Sequence, residues 1–246
     1  MLTSDGASIR IGTASWSIPK AAAVSFPSSG TILQRYAAVF DACEINSTFY
    51  RSHKPDTYKR WAESVPDNFL FSVKLPRFIT HERRLDCEER DLAAIIVEIS
   101  NLGSKLGPLL IQLPPSLRFD ATAELFIHRL RQVFAGDAIF EPRHKSWFND
   151  EVFELLAAHR IARAAVDPAT GPGSHLPSGF AELTYFRLHG SPKIYHSDYG
   201  PAFIDRLHHI LQQQNASKVW CIFDNTALGF ATSNALALLS STRPHK

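Results

Sequence analysis

The chain has 246 residues, is 45% hydrophobic and carries 26 Lys and Arg against 24 Asp and Glu, a formal net charge of +2. It is long enough to bury a full core without disulfides or a structural metal, and its charge is too mild to argue for a dedicated nucleic-acid binder. Cys43, Cys87 and Cys221 are too widely spaced for a CxxC or zinc pattern. MLTSDGASIR contains no charged-then-apolar leader and no apolar stretch of ~18 residues follows. The expected compartment is therefore the cytoplasm, with no membrane partner.

Eight strand-like runs follow one another, each closing on a polar or charged residue. In chain order they are RIGTASW ending at Trp16, ACEIN at Glu44 and Asn46, FLFSVK at Lys74, and PLLIQ at Gln112. AIFEPR then ends at Glu141 and Arg143, ARAAVD at Asp167, YFRLH at Arg187 and His189, and VWCIFDN at Asp224 and Asn225. Between them, helical spacing covers 31–40, 56–64, 89–101, 121–134, 150–159, 201–214 and 233–240. Pro55 with Asp56, Asp120 and Asn149 suit helix starts, Gly103 and Gly136 suit stops, and the closing STRPHK reads as a frayed end.

Strict alternation with short connections predicts an α/β protein with a parallel sheet, and eight units predict a single (β/α)₈ TIM barrel over residues 1–246. An open doubly wound sheet is the alternative. No GxGxxG follows the first strand, so the chain has no nucleotide-cofactor motif. Residues two apart on a strand share a face. That parity sends Glu44 with Asn46, Ser72 with Lys74, Glu141 with Arg143, Ala165 with Asp167, Arg187 with His189, and Ile222 with Asp224 to the barrel interior.

EINSTFYR, FSVKLPRFITH, LGPLLIQLPPS, EPRHKSWF, YFRLHGSPKIYHSDY and IFDNTALGFATSNALAL, in this order and spacing over about residues 9–240, resemble the signature blocks of the YecE-like family, the domain of unknown function numbered 72. The resemblance implies a TIM barrel with these residues gathered at one mouth, and no established activity. The chain departs from the pattern at Ser15 before Trp16 and at Ile18 after it.

The mouth is expected to bind a small anion bearing phosphate or carboxylate. Arg187 and Arg143 would grip it with their forks and Lys74 as a point charge, with Arg77 as a further ligand-binding cation. His189 is the expected proton carrier, with Glu141, Asp224 and Asp167 as acid–base partners in a hydrolysis or isomerisation. Trp16, Tyr50, Trp147, Tyr195 and Tyr199, with Glu44, Asn46, Gln112, His144 and Asn225, would line the ligand. Gly229, Thr232 and Ser233 would leave N–H groups free at the start of the last helix. A divalent metal on Glu141, Asp167, His189 and Asp224 is the competing mechanism. It is disfavoured because Arg143 and Arg187 share the ligand faces and would repel the ion by about 4 kcal/mol at ~4 Å and an effective dielectric near 20. Nucleic-acid binding and ligand binding without catalysis are further alternatives. Oligomeric state is not readable from the sequence.

Overall fold

A computed structural model describes residues 8–241, so the segment before Ser8 and the last five residues of the STRPHK run lie outside the described residues. Among the described residues there are ten strands: β1 Ser8–Ala14, β2 Ala42–Ile45, β3 Leu70–Lys74, β4 Leu106–Gln112, β5 Ala138–Glu141, β6 Ile161–Arg163, β7 Ala165–Asp167, β8 Ser178–Gly179, β9 Leu183–Leu188 and β10 Lys218–Phe223. Seven α-helices alternate with them: α1 Ile32–Ala37, α2 Pro55–Glu63, α3 Glu89–Ile99, α4 Ala121–Val133, α5 Asp150–Ala158, α6 Pro201–Gln212 and α7 Phe230–Ser241. The helix-start signals act as read. Pro55 occupies the first turn of α2, while the Asp120 and Asn149 carboxyl and amide oxygens accept from the N–H groups of Ala123 and Val152.

The strands form one sheet in the order β7-β9-β10-β1-β2-β3-β4-β5-β6-β8, parallel throughout except for the β6–β8 pair. The expectation of eight strands differs from this count at one place. The sixth run is interrupted at Ala164, so that β6 pairs with β5 while β7 pairs with β9 at the opposite end of the sheet. Only Ala164 separates the two halves, and its N–H donates to Phe140 O at 2.8 Å. One short stretch of chain thus touches both margins, and the sheet is a nearly closed barrel. No helix among the described residues is long and apolar enough to cross a membrane.

Two apolar layers follow from strand parity. Ala14, Ala42, Leu110, Ile139, Ala162, Ala164, Val166, Leu183, Tyr185, Trp220 and Ile222 pack together inside the barrel. Their chain neighbours Cys43, Leu109, Ile111, Phe140, Phe186, Cys221 and Phe223 pack outward against the helices. The inner set ends in Glu44, Lys74, Gln112, Glu141, Arg187 and Asp224, as parity predicts. The sixth run is the exception. Its inward residues are Ala162, Ala164 and Val166, while Ala165 joins the outer layer. Asp167 therefore does not share the interior face, because its run of small apolar residues carries no polar mark of which side faces in.

Candidate functional site

Arg187, near the end of β9, lies at the centre of the mouth and is fully buried. Its Nε and Nη2 donate to the two oxygens of Glu44 at 2.9 and 2.8 Å, and Nη1 donates to Glu141 Oε2 at 3.1 Å. Nη2 also pairs with Asp224 Oδ2 at 3.0 Å. These three carboxylates come from β2, from β5 and from the residue after β10, so one guanidinium ties together distant parts of the barrel. Tyr185 extends the network, donating to Glu44 Oε2 at 3.0 Å and standing 3.0 Å from the Ser72 hydroxyl. A buried guanidinium is tolerated only when its donors are satisfied. Here they are, which corrects the expectation that Arg187 grips a ligand: its fork is already filled.

His189 lies between two carboxylates, with Nδ1 3.0 Å from Asp224 Oδ2 and Nε2 3.1 Å from Glu141 Oε1. Burial works against a charged ring, but Glu141 and Asp224 outweigh it and raise the His189 pKa. An imidazolium can donate to both oxygens, whereas a neutral ring would turn a lone pair toward one of them. The expected role as a mobile proton carrier does not fit this geometry, since no ring nitrogen is left to take a proton. Glu141 also accepts from Gln112 Nε2 at 2.7 Å and from Arg143 Nη2 at 3.1 Å. Although burial alone would raise it, Arg187, His189 and Arg143 hold the Glu141 carboxyl well below the usual range. Asp224 is likewise lowered against its burial, by Arg187 and His189. Glu44, Glu141 and Asp224 thus face Arg187, His189 and Arg143, a set balanced in charge.

Lys74, at the end of β3, is left over. It is only 5% exposed, yet its Nζ has no carboxylate in ion-pairing distance among the described residues and rests 4.0 Å from the centre of the Phe49 ring. Burial and the nearby Arg187 charge lower its pKa to about 8. Next to it, His81 lies in the π-helical turn Phe78–Glu82, 5.0 Å from the Phe49 ring. Burial, then Lys74, Arg77 and Arg143, depress His81 to about 4, so its ring is neutral at pH 7. His81 closes the FSVKLPRFITH block, which places it near the mouth, but the three cations that act on it come together in the folded chain. Tyr195 closes the rim: it acts electrostatically on Arg143, and its ring stands edge-on 5.9 Å from His189.

The other expected residues divide. Asp167 accepts from the Tyr199 hydroxyl at 2.8 Å, and that hydroxyl accepts from Gly190 N–H at 2.8 Å. Both residues therefore brace the loop after β9, where Gly190 takes φ +93° and a Cβ would come 2.9 Å from Ser197 O. Asn225 donates to Ser197 O and Asn234 Oδ1, fastening the same loop to α7. Trp147 is not a ligand wall: it is fully buried, stacks on Phe140 and donates to Leu117 O at 3.0 Å. His144 Nδ1 accepts from Ser146 N–H and caps a local turn. Trp16 packs edge-on to Trp61 and, with Asn46, lines a cleft of about 310 Å³. Tyr50 is exposed on a neighbouring cleft of about 440 Å³ that also includes Arg77 and Phe49. The start of α7 is not open either, since Ala231 N–H donates to Asn225 O, Thr232 donates to Ser17 O, and Pro19 packs on Gly229. No group of three or more His, Cys, Asp or Glu side chains among the described residues is placed to hold a metal ion. The oxygens of Glu141 and Asp224 are taken by Arg187 and His189, and Asp167 is turned to Tyr199.

Residues 10–246 match the family described as "Protein of unknown function DUF72". The chain is 33% identical to UPF0759 protein YecE of Escherichia coli K12 over 106 residues, 43% of this chain and 38% of that protein. It is 27% identical to UPF0759 protein YunF of Bacillus subtilis over 178 residues, 65% of this chain and 62% of that one. The matched part thus spans less than two thirds of these relatives' own length. Among solved structures, a DUF72 family protein from Enterococcus faecalis superposes with a TM-score of 0.82 at 22% identity, covering 95% of this chain and 94% of that one. A DUF72 family protein from Thermotoga maritima gives 0.79 at 24% identity, covering 95% and 98%. At these identities the two structures speak for the fold alone.

Proposed function

This chain belongs to the DUF72 family, and from that premise and the geometry of its mouth we propose an enzyme that binds a small phosphate- or carboxylate-bearing molecule at the strand C-termini. Counting β6 and β7 as one interrupted strand and β8 as an antiparallel addition gives a (β/α)₈ barrel, whose chemistry resides at that end. The observation that carries the reading is uncompensated positive charge. With Arg143 paired to Glu141, carboxylates and cations balance beneath the rim; Lys74 and Arg77 are the cations in excess, and these two and Arg143 all act on His81. An anion placed there gains from all three cations in a partly desolvated setting.

Acid–base turnover, as hydrolysis or isomerisation, falls to Lys74 and His81. Lys74 titrates near 8 and can give or take a proton close to neutral pH, and His81 remains an unprotonated base. His189 acts as a positioning residue, holding Glu141 and Asp224 in place.

The test is thermal unfolding with inorganic phosphate, sulfate and small carboxylates. A ligand at about a hundredfold excess over its Kd stabilises by about 2.7 kcal/mol. Arg77→Ala, at an exposed position, is expected to leave the unliganded stability within about 0.5 kcal/mol and to reduce the anion shift. Stabilisation by a salt-sensitive oligonucleotide, with none by small anions, would contradict the reading in favour of nucleic-acid binding.

A further inference from the structure

Lys74 is an unexpected residue for a simple anion clamp. A clamp works best with a permanent charge, and burial against an aromatic ring takes charge away. Glu44, Asp224 and Glu141 attract the Lys74 charge from beyond ion-pairing distance, but all three are held by Arg187, His189 and Arg143, and burial with the Arg187 charge outweighs them. Arg187 acts on it as a fixed like charge, and Arg77 and Arg143 act together with it on the neighbouring His81. With the Lys74 pKa lowered to about 8, the neutral amine and its free lone pair become accessible near neutral pH.

We propose that the Lys74 amine is a nucleophile that condenses with the carbonyl carbon of an anionic aldehyde or ketone held at the mouth. The proposal rests on the anion-binding reading and names its substrate class: one molecule carrying both a carbonyl and a phosphate or carboxylate. Arg77 and Arg143 would take the anionic end, and the carbonyl would face Nζ along the Phe49 ring. Nζ adds to the carbonyl carbon, the C=O π pair moves to oxygen, and that oxygen takes a proton from the nitrogen. The hydroxyl then leaves as water with a proton from solvent, and the nitrogen lone pair forms the protonated imine. No oxidant or reductant is consumed. With a pKa of about 8, about a tenth of the amine is neutral at pH 7, against less than about a thousandth for an ordinary lysine.

The experiment incubates the unsubstituted chain at pH 7 with pyruvate or dihydroxyacetone phosphate, reduces with borohydride, and maps the modified lysines by mass spectrometry. Acetone serves as the uncharged control. Lys74 is expected to be labelled at least about tenfold above any other lysine, with excess sulfate suppressing the adduct and acetone giving none above background. Lys74→Arg is expected to lose it. Labelling spread over surface lysines, or no adduct with either probe, overturns the proposal without depending on how the variant folds. Sulfate is titrated in parallel by calorimetry to separate the two readings. Sulfate binding without a Lys74 adduct removes the imine and leaves the anion site standing, whereas neither binding nor adduct removes both.

Discussion

Arg187→Met is expected to destabilise the protein by about 3–5 kcal/mol, the cost of leaving buried charges without their partner. It would strand Glu44, whose two oxygens both accept from the guanidinium, together with one oxygen each of Glu141 and Asp224. The methionine fills volume but donates nothing. The carboxylates must then take up protons or admit water, since His189 and Arg143 leave Glu44 without a partner cation. Urea unfolding at pH 7 reads the change as a lower midpoint at similar slope. A loss below about 1 kcal/mol would mean that the fork does not hold the mouth together.

Lys74→Met is expected to act in the opposite direction on stability. The ammonium is 5% exposed, unpaired by any carboxylate and set against the Arg187 charge, so folding proceeds in spite of it. An apolar side chain of similar length against Phe49 should stabilise the chain by about 0.5–2 kcal/mol, the range of gains at functional positions. Anion binding should fall at least about tenfold in the same variant, since about 1.4 kcal/mol of lost attraction suffices. The sign depends on pH: the unfolded lysine keeps its proton to near 10.4, the folded one to about 8. The wild-type chain therefore gains stability as pH rises between these values, and the advantage of methionine shrinks over the same window. Equal loss of stability and of binding would instead mark Lys74 as structural.

Much of the inner face was legible because parity needs only one polar residue to reveal it. Glu44, Glu141, Arg187 and Asp224 were placed together from strand periodicity, and the structure joins them through one guanidinium. Parity failed where its marker was absent. In the sixth run the alanines give no sign of side, and the terminal Asp167 suggested the wrong one. Roles were harder to read than positions. Whether an arginine grips a ligand or fills its fork with protein carboxylates depends on distances across the barrel, and Arg187 with Glu44 is separated by 143 residues. Aromatic residues after strand ends were ambiguous for the same reason: Trp147 is core, Tyr199 is a brace, and Tyr195 and Phe49 stand against the charged cluster. His81, at the end of the FSVKLPRFITH block, was legible as a mouth histidine but not as the one beside Lys74, because that depends on how the turn after β3 folds over Phe49.

The most direct test of the charged rim is calorimetric titration with sulfate between pH 6 and pH 10, a range over which sulfate keeps its charge and the arginines keep theirs. If Lys74 completes the anion site, affinity stays level below about pH 8, where its ammonium is formed, and weakens by at least about tenfold toward pH 10 as the proton is lost. Affinity unchanged across that range, or no saturable binding at pH 7, would contradict the account.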